Sequence, residues 1–158
     1  MTLSHLDAEG RARMVDVGNK PVTERRALAA GLIRMAPAAF AEVRDHGGPK
    51  GEVLGTAELA GVMGAKRTAE LIPLCHPLAL EQVEVRATLD EALPGVRVEA
   101  SVRTSGRTGV EMEALTAVAV ALLTVYDMVK ATGHDLEIGE IGLVEKTGGR
   151  SGDWRRTP

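Results

Sequence analysis

Aromatic side chains are nearly absent from this chain. Only Phe40, Tyr126 and Trp154 occur among its 158 residues, although 44% of the residues are hydrophobic. Alanine, valine and leucine supply most of the apolar share, which predicts a core in which helices can approach one another closely. Proteins that bind single-stranded nucleic acid stack bases on aromatic rings, so three rings exclude a stacking platform.

The chain also has only one cysteine, no excess of positive charge and no long apolar run. Cys75 is the only cysteine, which excludes an internal disulfide framework and any site built from several thiolates. A formal net charge of −3 argues against a general nucleic-acid binder, which needs a basic face. The apolar stretch 112–126 is too short to span a bilayer, and no apolar segment typical of a secretion signal opens the chain. We therefore expect a soluble, cytoplasmic protein.

The first third of the chain carries a strand signal and a helix signal. Met14–Val17 is predicted to be a short strand that ends at the following glycine. Leu28, Leu32 and Met35 then recur at the i, i+4, i+7 spacing of a helix, and Thr23 would be its N-cap.

The remaining elements alternate between the two periodicities and predict one domain over residues 1–158. Residues 1–10 would be a mobile lead-in, and residues 147–158 a flexible, basic, glycine-rich tail. The predicted order is that of an α+β ferredoxin-like split βαβ sandwich with an antiparallel sheet and extra helices after the first strand. Its later elements are a helix from Pro37, a helical stretch 52–71, strands 83–89 and 96–102, a long helix 111–132 and a strand 136–146.

Two loops place reactive side chains beside glycine or proline. Lys50 lies in a Gly-Pro-Lys-Gly setting that would let an anion approach the backbone, or it is simply a solvated loop lysine. Cys75 and His76 lie between two prolines that limit their backbone freedom, as a preorganised site requires. The alternatives are a buried spectator thiol and a structural histidine.

The long helix carries charged residues at both ends. Glu111 and Glu113 lie in its first turn, where carboxylates offset the helix dipole. Asp127 and Lys130 lie one turn apart near its end, as a surface ion pair or as partly buried functional groups. Glu113 and Asp127 are about 40° apart around the helix and about 21 Å apart along it. One small ligand therefore cannot touch both within a single subunit.

The sequence contains no standard metal-binding or nucleotide-binding motif. The histidines show no metal-ligand spacing, and neither the P-loop GxxxxGK[ST] pattern nor GxGxxG occurs. Several lysines and arginines lie in loops flanked by glycine, with carboxylates on one helix and an isolated histidine. This pattern is typical of a phosphorylated, non-polymeric substrate whose oxygens are held by cations.

Three sequence blocks carry a more specific signal. They are Ala65–Leu78, which contains Leu-Ile-Pro-Leu-Cys-His-Pro-Leu, then Thr108–Thr116, with Thr-Gly-Val-Glu-Met-Glu-Ala-Leu-Thr, and Tyr126–Met128. In these blocks, and more loosely from Met14 to the glycine-rich tail, the chain resembles the molybdenum cofactor biosynthesis protein C family, the cyclic pyranopterin monophosphate synthases.

The resemblance implies a defined reaction. Family members convert a cyclised dihydro-GTP (3′,8-cyclo-7,8-dihydro-GTP) to cyclic pyranopterin monophosphate and release pyrophosphate, as lyases. No redox change occurs, so no redox cofactor is expected; a Mg²⁺ ion travelling with the substrate phosphates is left open. The family fold is ferredoxin-like, and its dimers assemble into hexamers, as trimers of dimers, with sites at subunit boundaries. No membrane or nucleic-acid partner is implied.

The resemblance also assigns residues. The catalytic positions fall on Asp127, Lys50 and Lys130. The substrate contacts and the shell around them fall on Leu74, Cys75, His76, Met112, Glu113, Glu111, Lys66, Asp16, Arg25 and Lys146. We hypothesise that Lys50 and Lys130 have lowered pKa values and shuttle protons, with Asp127 positioning Lys130. His76, Lys66 and Lys146 would neutralise the phosphates, while Glu111 and Glu113 read the guanine-derived edge or hold a neighbouring subunit's cations.

Two other function classes fit parts of the pattern. Ferredoxin-like domains also serve as non-catalytic modules that bind small metabolites at dimer interfaces, and such a module would bind a nucleotide without making a product. RNA binding on the open sheet face is disfavoured, because the strands 82–89 and 96–104 contain no aromatic residue.

Overall fold

The fold is taken from a computed structural model that describes residues 6–7, 9–48 and 52–157. Strand β1 is followed by three helices, two strands, a long helix and two more strands, and a 3₁₀ turn over Lys130–Thr132 extends the long helix. The bounds are β1 Thr23–Met35, α1 Pro37–His46, α2 Val53–Lys66, α3 Thr68–Leu71, β2 Gln82–Asp90, β3 Gly95–Gly106, α4 Glu111–Val129, β4 Leu136–Thr147 and β5 Trp154–Arg155.

The first strand corrects the sequence analysis. Residues 23–35 form a 13-residue strand, so the predicted helix with Thr23 as its N-cap is wrong. Residues 14–17, predicted to be a strand, have no regular secondary structure. The helical spacing misled because alternate positions with small side chains, such as Ala27 and Ala29, are the buried ones, whereas Leu28 points to the other face. Packing in a sheet overrides the helix propensity of alanine and leucine here.

The sheet has the order β2-β3-β1-β4-β5 and is antiparallel throughout. Its four long strands, with α2 and α4 in the connections, give the βαββαβ order of a ferredoxin-like α+β fold. The predicted fold class is therefore confirmed, and α1 and the short α3 are the extra helices after the first strand. The segment predicted as a glycine-rich tail contributes β5, which adds to the edge of β4.

Helices α2 and α4 pack against each other and cover one face of the sheet. Gly61 and Gly64 of α2 allow this closeness, which agrees with the close helix approach expected from the composition. A Cβ atom on Gly61 would lie 2.9 Å from Val85 Cγ1 and 3.0 Å from the Ala117 carbonyl oxygen, and one on Gly64 2.8 Å from Val120 Cγ2. The core is built mainly from alanines and valines, and Phe40 is the one aromatic ring buried in it among the residues that the structure describes.

Helix α4 is the central element of this core. With the turn that follows it, the helix is long and apolar enough to cross a membrane by length and composition. However, 56% of its most apolar window is buried inside the protein, and residues such as Val118 and Leu122 are fully covered. This is the packing of a core helix.

The strand register brings the ends of several strands, and the N-terminus of α4, together at one end of the sheet. Thr23 at the start of β1 pairs with Gly106 at the end of β3, and Arg26 pairs with Thr147 at the end of β4. The N-terminus of α4 follows β3 after four residues and lies at this same end. The C-terminus of α4, with Asp127, lies at the opposite end of the sheet.

Candidate active site

Two clefts meet at the end of the sheet where α4 begins. The first, which we call the carboxylate cleft, has a volume of about 340 Å³. Its wall combines the segment before β1, the loop between α3 and β2, and the first turn of α4. The lining residues are Val15, Val17, Lys20, Leu74, Cys75, His76, Leu78, Thr108, Gly109, Glu111, Met112 and Glu113.

Glu113 is the most deeply buried charged group of this cleft. Only 4% of the residue is exposed, and it lies one turn into α4. Burial raises the pKa of its carboxyl, and the nearby charge of Glu111 raises it further, although the amide of Glu113 itself opposes the shift. A carboxyl group of this kind holds a proton to higher pH than an exposed one and can donate it to a ligand.

Cys75 and His76 face the same cleft from the proline-bounded loop. Both residues are half-buried, and the amide of Cys75 donates to the Ile72 carbonyl oxygen at 3.1 Å, which closes a turn. Burial raises the pKa of the Cys75 thiol, and the charge of Glu113 raises it further. The thiol is therefore kept neutral, so Cys75 is suited to contact a ligand in the cleft as a polar group and not to attack it as a nucleophile.

The second cleft, which we call the basic cleft, has a volume of about 360 Å³ and adjoins the first. Six of its twelve lining residues are lysine or arginine and only one is acidic. Cations at this density attract and hold polyanions such as phosphate esters. The lining residues are Lys20, Arg25, Arg26, Arg107, Thr108, Gly109, Glu111, Lys146, Thr147, Gly148, Arg150 and Ser151.

Two cations of the basic cleft, Lys146 and Arg25, are held in place by neighbouring segments. The Lys146 ammonium donates to Ser151 Oγ at 2.6 Å and lies 3.8 Å from Glu111 Oε1. The Arg25 guanidinium donates from Nε to the Gly106 carbonyl oxygen at 3.4 Å. It lies against the backbone of Gly149, where a Cβ atom would collide with it.

The two clefts are parts of one continuous surface. Lys20, Thr108, Gly109 and Glu111 line both of them. Lys20 is presented by a turn in which its amide donates to the Val17 carbonyl oxygen at 3.0 Å. A ligand with a polar ring and a phosphate chain would therefore find carboxylates and a thiol at one end and cations at the other.

The structure gathers most of the predicted contact residues in these clefts. Eight of the positions lie there together: Leu74, Cys75, His76, Met112 and Glu113 in the carboxylate cleft, Arg25 and Lys146 in the basic cleft, with Glu111 common to both. Lys50, predicted to be catalytic, lies outside the described residues. Lys66 lines a neighbouring hollow that shares Leu78 with the carboxylate cleft.

Asp16 has a local role that the sequence analysis did not foresee. Its carboxylate accepts a hydrogen bond from the Gly18 amide at 2.8 Å, and the residue is exposed. This bond shapes the turn that ends at Lys20. Asp16 lines neither cleft, so its connection to the site runs through that turn.

Asp127 and Lys130 lie at the far end of α4, about 21 Å along the helix from Glu113. Lys130 Nζ is 2.6 Å from Asp127 Oδ1, and their side chains are 49% and 56% exposed. The hydrogen bond and the charge of Asp127 raise the pKa of Lys130. The hypothesis that Lys130 has a lowered pKa is therefore wrong for this chain on its own, because its nearest charged partner is an anion rather than a cation.

Sequence reasoning missed several residues that line the clefts. Lys20, Arg107 and Arg150 are cations next to or near glycine, which is the pattern already linked to phosphate binding, so each could have been found. Val15 and Val17 have apolar side chains, which carry no chemical signal of a site. Arg26 could not be found from local sequence, since only the sheet register brings it beside Thr147.

Within residues 6–7, 9–48 and 52–157, no group of three or more His, Cys, Asp or Glu side chains is arranged to hold a metal ion. A comparison with known protein families gives one match that covers most of the chain. The sequence model of the MoaC family matches residues 14–149. The matched segment contains the whole carboxylate cleft and all of α4, and it ends just before Arg150 and Ser151 of the basic cleft.

Proposed function

Because this chain belongs to the MoaC family, a family of molybdenum cofactor biosynthesis enzymes that act on a small-molecule substrate, we propose that it is a cyclic pyranopterin monophosphate synthase. Its substrate would be the cyclised dihydro-GTP, and its products cyclic pyranopterin monophosphate and pyrophosphate. It would act as a cytoplasmic lyase without a redox cofactor, and any Mg²⁺ would arrive with the substrate phosphates.

One observation carries this proposal: the carboxylate cleft and the basic cleft are contiguous. The substrate has the same two parts, a guanine-derived ring that offers N–H donors and a triphosphate that carries negative charge. Glu113 and Glu111 are suited to accept hydrogen bonds from ring N–H groups. Arg25 and Lys146 are suited to bind phosphate oxygens, and Lys20 lies at the junction between the two parts.

The reaction needs charge stabilisation at one cleft and proton transfer at the other. A hydroxyl oxygen derived from the ribose bonds to the α-phosphorus, and the bond from that phosphorus to the bridging oxygen of pyrophosphate breaks. The hydroxyl proton passes to a base, and the basic cleft neutralises the charge that develops on the leaving pyrophosphate. Opening the imidazole-derived ring and closing the pterin ring moves further protons, for which Glu113 and His76 are suitably placed acid–base groups.

Asp127 and Lys130 enter the proposal through a second subunit. They are too far from Glu113 to touch the same ligand within one chain, so a shared site requires a neighbouring copy. Apolar side chains exposed on α2 and α4 support such an assembly, with Leu59 63% and Leu123 60% exposed. We propose a hexamer built from three dimers, in which one copy supplies the clefts and another supplies Asp127 and Lys130.

The direct test is incubation with enzymatically prepared cyclised dihydro-GTP. We expect pyrophosphate to be released in step with a product that oxidises to a fluorescent pterin. Saturable binding of the substrate with neither product would instead support a metabolite-sensing module. Lys50→Ala should abolish turnover while the oligomer persists, and near-normal pyrophosphate release would remove Lys50 from the mechanism.

Mixing two inactive variants tests whether the site is shared. His76→Ala disables the clefts and Asp127→Ala disables the far end of α4. In a mixed dimer one of the two sites receives both wild-type parts, so random mixing restores about a quarter of the wild-type activity. If all parts of a site come from one chain, the mixture stays inactive. Each variant mixed with itself is the matched control.

A further inference from the structure

The segment after β4 forms a closed loop that walls the basic cleft. We define the 148–153 loop as the residues from Gly148 to Asp153. The Asp153 carboxylate accepts a hydrogen bond from the Gly148 amide at 3.0 Å, which joins the two ends of the loop. Inside it, the Gly152 amide donates to the Gly149 carbonyl oxygen at 3.2 Å. The loop is therefore held in one shape by its own bonds.

The rest of the fold fixes where this loop stands. After it, β5 pairs with β4, and the Arg156 amide donates to the Val144 carbonyl oxygen at 2.8 Å. Gly148 and Gly149 have φ angles of 86° and 82°, which side-chain-bearing residues rarely adopt. A Cβ atom on Gly148 would also collide with the carbonyl oxygen of Glu24, so the loop packs directly on β1.

Ser151 is the polar group that this arrangement presents to the basic cleft. Its Oγ atom accepts a hydrogen bond from the Lys146 ammonium at 2.6 Å, and both residues line the cleft. A hydroxyl that accepts one bond still has its own hydrogen to donate. Ser151 can therefore donate to a phosphate oxygen that Lys146 neutralises.

Asp153 has the wrong charge for a cleft that binds anions. It lies beside a surface with six basic residues, and its carboxylate is committed to the Gly148 amide. Charge alone predicts that removing it would strengthen anion binding. The presence of Asp153 is explained if the loop shape that its carboxylate stabilises matters more for anion binding than the negative charge that Asp153 adds.

We propose that the 148–153 loop is a preformed polyphosphate-binding wall, in which Ser151 contacts the ligand and Asp153 is a positioning residue that holds the loop closed. The ligand class is an inorganic or nucleotide-borne diphosphate or triphosphate. The physiological identity of that ligand rests on the proposed function, but the binding itself can be measured without it. Four of the six loop residues, 150–153, lie beyond the segment matched by the family model.

The test is calorimetric titration of the full chain with inorganic pyrophosphate and with tripolyphosphate at fixed ionic strength. Asp153→Ala should weaken binding about 3- to 10-fold, because the loop opens, even though a negative charge has been removed. Asp153→Asn keeps the oxygen acceptor, so its affinity should equal or exceed that of the wild type. Ser151→Ala should weaken binding by a similar factor. Asp135→Ala, an exposed aspartate at the other end of the sheet, is the control for charge.

Each outcome separates this proposal from its alternatives. Tighter binding by Asp153→Ala would overturn it, because charge alone would then explain the residue, and so would a wild type that binds neither polyphosphate. Unchanged binding by Ser151→Ala would remove Ser151 as a contact. In turnover assays we expect Asp153→Ala to raise KM with little change in kcat, and Asp153→Asn to restore KM. The chain could fail to turn over the cyclised substrate while the Asp153 and Ser151 variants still change polyphosphate affinity as expected. That result would contradict the proposed function and support polyphosphate binding by the 148–153 loop.

Discussion

The two ends of helix α4 carry carboxylates in opposite surroundings. At the N-terminal end Glu113 is 4% exposed and faces a cleft that is also walled by the segment before β1 and the loop between α3 and β2. At the C-terminal end the side chain of Asp127 is 56% exposed and lies 2.6 Å from Lys130. Both carboxylates belong to one helix, but the N-terminal end is enclosed by other segments of the chain, whereas the C-terminal end is open to solvent.

This difference has a consequence for the chemistry at each end. Burial raises the pKa of Glu113, so the enclosed end favours a neutral acid, whereas the pairing at the open end raises the pKa of Lys130 and favours a charged pair. A charged pair in water is a weak structural element. The proposed function gives this end its role through a second subunit.

The largest expected effect comes from removing the acidic partner at the open end. Asp127→Ala should lower kcat by about 10²- to 10⁴-fold, the range for loss of a group that acts in proton transfer. The melting temperature of the chain should barely change, because the ion pair is exposed. Steady-state pyrophosphate release and differential scanning calorimetry measure the two quantities. Asp135→Ala is the control, and a kcat close to that of the control would contradict the assignment.

The next effect concerns stability at the enclosed end. Because the pKa of Glu113 is higher in the folded chain than in the unfolded chain, the folded chain keeps a proton that the unfolded chain has released. The free energy of unfolding therefore falls as the pH rises above the ordinary value of 4.5 and through the folded pKa. Glu113→Gln removes this loss, so its stability relative to the wild type should increase with pH.

Urea denaturation at a series of pH values checks this dependence. Glu137→Gln, an exposed glutamate at the start of β4, should follow the wild type at every pH. Parallel curves for the wild type and Glu113→Gln would mean that Glu113 titrates normally in the folded chain. The enclosed and open ends of α4 would then not differ in the way described above.

A smaller effect is expected at Cys75. Burial is the main reason for the raised pKa of its thiol, and the charge of Glu113 adds to it. Glu113→Gln should therefore lower that pKa only in part, and alkylation by iodoacetamide at fixed pH should become faster because more thiolate is present. The rate measured against pH separates the thiolate fraction from access. A rate unchanged from that of Glu137→Gln would show that Glu113 does not influence the thiol.

The smallest effect is the titration of Lys130 itself. In the chain studied without its proposed partner, Asp127→Asn should lower the pKa of Lys130 towards the ordinary value of 10.5. Carbon-13 NMR of the lysine Cε atom measures this pKa directly. A wild-type value below the ordinary one would contradict the pairing and restore the hypothesis of a proton-shuttling lysine within the single chain.

Much of the fold was predictable because its later elements have clear periodicity. The strands near Val83 and Val96 alternate apolar and polar residues, and α4 has an uninterrupted apolar stripe that ends at Gly133. β1 was not predictable because the buried residues of its first part are alanine and glycine, which give little hydrophobic contrast, while Leu28, Leu32 and Met35 happen to recur at helical spacing. Its strand character follows from having β3 on one side and β4 on the other.

The site was predictable as a set of residues and not as an arrangement. The motifs around His76 and Glu113 pointed to the correct cleft, because they lie in short, distinctive segments. The composition of the basic cleft depended on register: Arg26 meets Thr147 only through strand pairing, and Lys20 arrives through a turn shaped by Asp16. Such contacts join residues far apart in the chain, and no local pattern encodes them.

The sequence by itself determined the family, the fold class and the distance between Glu113 and Asp127, since a helix has a fixed rise per residue. The tertiary structure decided which groups are buried and which are paired. It made Glu113 a raised-pKa acid and Lys130 a charged partner, and it placed a cationic cleft beside a carboxylate one. Burial and ion pairing depend on contacts between residues far apart in the chain, and these contacts form only when the strands pair in the folded sheet.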